Sequence, residues 1–196
     1  MGEIKRKKKV KYVPDLLQAL KNVVQSFIKD ENKTPLHIGE AMGCWIFLAL
    51  AGETQVQTEA GINSTTDSEL RKALQEGVNM FRSQKERIIA FMRSEGIPSP
   101  PLSESKPISD PNSVPLGVKL TDDELANSLK KKVSMAITNC SEAASQSLRS
   151  DVSLMWAEFL QEHITFLITF KSLMRKRGWL KVPPPYHPAG LPKAEK

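Results

Sequence analysis

Side chains that carry chemistry are scarce in this sequence. It has three histidines and two cysteines among 196 residues. Cys44 and Cys140 sit singly inside apolar helical patterns, which leaves neither a disulfide framework nor a paired-cysteine metal spacing. They read as reduced, packed thiols of a cytoplasmic protein. No glycine-rich phosphate loop and no Ser-His-Asp set is present, so nucleotide-binding and hydrolase chemistry lack their minimum residues. Long apolar runs are missing as well. The greasiest stretch, AMGCWIFLALAG at 41–52, would rise only ~18 Å as a helix, against a hydrocarbon core of roughly 30 Å. It reads as a helix buried in protein on most sides, and no integral membrane segment is expected. A secretory signal is not expected either, because VPDLLQALKNVVQSFIKD after the basic start is amphipathic and interrupted by polar residues.

The net charge of +6 is unevenly spread. Lys5, Arg6, Lys7, Lys8, Lys9 and Lys11 crowd the first eleven residues against Glu3 alone, and the remainder of the chain is nearly neutral. Such a tail can attract phosphate or anionic lipid in a salt-dependent way. No aromatic interrupts the run to stack on bases, so single-stranded nucleic acid is a poor match.

What the sequence does hold is helix signals at regular distances. A short amphipathic helix is predicted from Asp15 to Lys29. The first long helix is predicted to start with Thr34 as N-cap and Pro35 at its first helical position, and to run toward Gly61, which is expected to supply a left-handed stop. The second opens on a Thr66/Glu69 capping box and continues to Gly96. Its inward positions are Leu70, Leu74, Gly77, Phe81, Ile88 and Phe91, with polar Gln84 among them. The third repeats the device with Thr121 and Glu124, and places the small residues Ala136, Cys140 and Ala143 inward beside Leu129 and Val133. The fourth spans about 151–177 and stops at Gly178, turning Val152, Trp156, Phe159, His163, Phe166, Phe170 and Leu173 inward.

The connections decide the architecture. Short links make antiparallel hairpins of the first and second helices and of the third and fourth. Between the hairpins, IPSPPLSESKPISDPNSVPLGVKL at 97–120 is kept extended by its prolines. It could reach ~75 Å, whereas a helix of about 27 residues is only ~40 Å long. The fold expected is therefore all-α: a ferritin-like four-helix bundle with one long crossover, plus a short N-terminal helix. In these terms the chain divides into a basic extension at 1–33, a bundle at 34–180 and a proline-rich arm at 181–196.

The segments HIGEAM, SEGIPSPP, LTDDELANSL, SQSLRSDVSLMW and above all RKRGWLKVPPPY resemble a domain-of-unknown-function family of spore-forming bacteria. That family is ferritin-like in fold and distantly similar to spore-coat F type proteins. The likeness covers roughly residues 35–187. It implies fold and a cytoplasmic or spore-related setting, and brings no activity with it.

A ferritin-like bundle raises the question of a di-metal carboxylate centre, which needs four inward carboxylates and two imidazoles near mid-length. His37 and Glu40 have the spacing of one ligand pair in reversed order, but lie ~16 Å along the axis from mid-helix. The middle of the first helix offers no ligand before Glu53. The fourth offers Glu162 beside His163. For His163 the sequence also allows a core imidazole hydrogen-bonded to Gln84. Arg149 and Asp151 are expected to tie the turn before the fourth helix. Trp179 and Leu180 are expected to fold back on the bundle end; in the other reading Trp179, Pro183, Pro184 and Pro185 form a ligand for a partner's aromatic groove.

The function expected is a non-enzymatic structural or interaction protein without a cofactor, with a protein partner or self-association and a possible spore setting implied by the resemblance. The alternative is a ferritin-like metal-binding protein or oxidase holding iron or manganese at His163, Glu162, His37, Glu40 and Glu53.

Overall fold

A computed structural model of the chain describes residues 34–186, together with Asn22. The basic tail and all but one residue of the predicted N-terminal helix fall outside the described residues. Among the described residues there are four α-helices and no strand: α1 (Ile38–Ile62), α2 (Ser68–Ser94), α3 (Asp122–Gln146) and α4 (Ser150–Lys176), with one 3-10 turn at Pro111–Ser113.

Two of the three glycine stops behave as expected, but Gly61 lies inside α1 without a positive φ, packed beside Leu125, and α1 ends after Ile62 with Asn63 as C-cap at φ −74°. Gly96 and Gly178 adopt φ of +72° and +75°, the left-handed conformation that ends a helix at little cost to glycine. The starts differ in two cases. The N-cap of α1 is His37 rather than Thr34, because His37 and Glu40 form a capping box of their own. The N-cap of α2 is Asp67 rather than Thr66. The Asp67 carboxylate accepts from Leu70 N at 2.9 Å, leaving neighbouring Thr65 free to accept from Asp67 N and donate to Asp122. The Thr121/Glu124 box of α3 forms as expected.

α1 pairs with α2 and α3 with α4, and the crossover brings the two hairpins together. It lies along the second half of α1. Leu102 approaches Gly52 so closely that a Cβ there would sit 2.9 Å from its side chain. Farther on, Lys106 N donates to Glu59 at 2.8 Å, and Asn63 bonds Pro107 O and Ser109 N. Partial burial works against the Glu59 charge, but hydrogen bonds from Gln55, Lys106 N and Ser105 hold its carboxyl below the ordinary value.

The interior is aromatic and aliphatic. Phe47, Phe81, Trp156, Phe159 and Phe170 are fully buried with Leu48, Leu74, Ile88 and Met92. Phe47 stacks on Phe159 at 5.5 Å and meets the edge of Trp156 at 5.3 Å. The small inward residues of α3, Ala136 and Cys140, are completely buried and give these rings room. Burial pushes both cysteine thiols up to about 12, so they remain protonated and inert at neutral pH.

Trp179 and Leu180 pack against this core. Their N–H groups bond Met174 O, and Trp179 O accepts from Asn127 at 2.9 Å. Trp179 is thus engaged by its own bundle, while Pro183, Pro184 and Pro185 are exposed beyond it.

Candidate functional site

His163 lies on α4 in the centre of the core, completely buried between Phe81 and Phe47, whose ring centroids are 5.1 and 6.1 Å away. Burial lowers the imidazole to about 4, so it is neutral at pH 7. Neither ring nitrogen has a hydrogen-bond partner among the described residues. The expected pairing with Gln84 is not made: the Gln84 amide donates instead to Glu162 at 2.7 Å. A charged acceptor outcompetes a neutral imidazole for that donor.

Glu162, although next in sequence, belongs to another face, since consecutive helical residues point about 100° apart. Its second oxygen accepts from Arg87 at 2.7 Å. Arg87 also binds Glu158 at 2.6 Å and lies 4.4 Å over the Phe159 ring. The Glu162 carboxylate is therefore committed to an ion pair and an amide. Glu53 is exposed on α1, where its charge opposes the burial that lowers the Lys132 ammonium.

The reversed pair His37 and Glu40 proves to be joinery. His37 Nδ1 accepts from Gly39 N at 3.0 Å, which makes Nε2 the nitrogen carrying hydrogen toward Gln146 O at 3.3 Å. Glu40 is buried, and one of its oxygens accepts from His37 N at 3.1 Å. The other accepts from Leu148 N at 2.9 Å and Arg149 N at 3.0 Å. One carboxylate thus caps α1 and fixes the α3–α4 turn.

Arg149 completes this end. It meets Glu95 through two parallel bonds of 2.8 and 2.9 Å, and Asp151 through two more of 3.0 and 2.7 Å. Its fifth bond reaches Thr34 O at 3.3 Å. Hydrogen bonds donated to Asp151 and then to Glu95 raise its pKa still further, so the charge is permanent. The Arg149–Asp151 tie is legible in the sequence. Glu95 and Glu40 are not, because no local spacing links them to a residue more than fifty positions away.

The five candidate ligands therefore fall in four separate places: His37 and Glu40 together at the start of α1, and Glu53, Glu162 and His163 each apart. Among the described residues no three His, Cys, Asp or Glu groups come together as a metal cluster. The donor set does not fit the di-metal centre that ferritin-like bundles can build: the one central imidazole is enclosed by phenyl rings, and the adjacent carboxylate is held by Arg87.

The Bacillus subtilis (strain 168) protein YvdQ, described as uncharacterised, is 26 % identical over 153 residues, covering 78 % of this chain and 89 % of YvdQ. A Bacillus halodurans C-125 crystal structure, provisionally described as a spore coat protein, superposes with a TM-score of 0.76 and 28 % identity, over 82 % of this chain and 98 % of that one. A two-domain Anabaena variabilis ATCC 29413 protein with DJ-1/ThiJ/PfpI-like and ferritin-like domains matches at a TM-score of 0.57 and 14 % identity, over 78 % of this chain and 41 % of that one. At that identity it speaks for fold alone, and the bundle is ferritin-like. Residues 25–190 match the family described as protein of unknown function, DUF3231, and the chain belongs to that family.

Proposed function

We propose that this chain is a non-enzymatic structural protein of the bacterial spore that works through its surfaces. One observation carries the reading: the middle of the bundle, where ferritin-like relatives can hold metal, is packed with Phe47, Phe81, Phe159 and a neutral His163. Its buried charges serve the frame, since Arg149 and Glu40 spend their bonds on helix ends and a turn. The spore setting draws support from the Bacillus halodurans relative, whose own description places it provisionally in the coat.

Elemental analysis of the full chain, purified without chelator, tests the first part. Iron and manganese well below stoichiometric are expected. Stoichiometric metal that disappears in His163→Ala would overturn it. Fractionating a spore-forming Bacillus that expresses the tagged full chain tests the second part. Enrichment with spore coat is expected, and confinement to the soluble mother-cell extract would remove the spore assignment.

A further inference from the structure

The first half of α1 is apolar on sides the bundle leaves uncovered. Ile38 is 85 % exposed, Met42 52 %, Ile46 49 % and Trp45 41 %. A helix apolar all round belongs inside protein, and a contiguous row of this kind marks a contact surface. Beside the row, α1 and α3 frame a cavity of about 210 Å³ lined by Met42, Ile46, Phe47, Ala143 and Trp156. Gly39 and Gly43, also at its edge, leave backbone bare there.

We propose that the chain's own residues 15–29 cover this face, as an amphipathic helix packed antiparallel to α1. The pattern fits. Leu16, Leu17, Leu20, Val23, Val24, Phe27 and Ile28 share one helical face, with Gln18, Asn22, Gln25 and Lys29 opposite. Asn22, at the centre of the polar side, is helical and exposed.

The path of the chain fits as well. Thr34 O is held by Arg149 at the end of the bundle where the exposed row begins. The connection over 30–37 has the length usual between neighbouring helices. A helix over 15–29 is ~22 Å long, enough to run past Ile38, Met42, Trp45 and Ile46. The occupant is thus a tethered segment whose apolar arc matches an adjacent apolar groove. This inference stands apart from the spore assignment.

Cysteine pairs in the full chain test it, since native Cys44 and Cys140 are buried and unreactive. Leu17→Cys, Leu20→Cys and Val24→Cys are each combined with Ile46→Cys, and Asn22→Cys with Ile46→Cys is the control. Under mild oxidation, at least one of the three is expected to close an intramolecular disulfide much faster than the control. A disulfide-linked dimer as the main product would assign the face to a second copy and overturn the proposal. So would equal rates in all four.

A second measurement does not depend on register. Met42→Cys should react with a thiol reagent at least about tenfold faster when Leu20→Glu and Phe27→Glu are added, as release of a docked segment requires. Equal rates in two folded variants would also overturn it.

Discussion

The two ends of the bundle are fastened with the same kinds of side chain and to different depths. Where α1 begins, the Arg149 side chain is only 6 % exposed, with four hydrogen bonds to two carboxylates. At the opposite end, Lys176 is 62 % exposed and reaches Glu69, which also meets Arg177. The Thr65–Asp122 bond and the Trp179 cap provide closure there. Water and salt screen the outer pairs, whereas a shielded guanidinium cannot lose a partner without leaving charge stranded. Charge number is thus a poor guide to strength, and enclosure is a good one.

The contrast is sharpest at Arg149. Arg149→Ala should lower stability by about 3–5 kcal/mol in denaturant unfolding, with Lys restoring only part because it lacks the planar fork. A loss no greater than that of Glu69→Ala would erase the distinction between the ends.

The layer between the ends supplies the next effect. The His163 imidazole falls from an ordinary 6.5 to about 4 on burial, so the unfolded chain binds the proton more readily. Stability should therefore drop as pH falls from about 6.5 toward 4, by up to about 3 kcal/mol. His163→Leu should flatten that part of a pH-dependent unfolding curve. An unchanged curve would deny the imidazole its enclosed place.

Glu40→Ala should cost about 1.5–3 kcal/mol, through the α1 cap and the α3–α4 turn together. Truncation after Gly178 should cost about 1–2 kcal/mol from lost apolar contact at the far end. An unmoved Tm on truncation would free Trp179 and the proline arm for a partner. Glu69→Ala should leave Tm unchanged within measurement, and a clear fall would show the exposed pairs to be stronger than their solvation allows.

Helix number, hairpin pairing and the long crossover were legible because each is written locally, in capping residues, helical spacing and proline density. The inward faces were legible only in part. Alternating three-four spacing pointed Phe91, Phe166 and Leu173 inward; they pack half-buried against the core, while the next residues, Met92, Leu167 and Met174, are the more deeply buried ones. An α-helix has 3.6 residues per turn, so over seven turns the buried stripe moves on by one position.

The α1 start was misread for a different reason. Thr34 and Pro35 are good opening residues, but the Glu40 carboxylate serves His37 and the distant Leu148–Arg149 backbone at once. No local rule weighs the second service. The same limit explains why Glu162 and His163, neighbours in sequence, serve an ion pair and a sealed core respectively.

The extended strap over 97–120 has a consequence for how the halves of the molecule find each other. By joining α2 to α3 it holds each hairpin near the other at high effective concentration, so their docking is independent of how dilute the protein is. A single backbone cut in the strap would turn one folding unit into two associating pieces. Their midpoint of unfolding should then rise with protein concentration, where that of the uncut chain stays fixed.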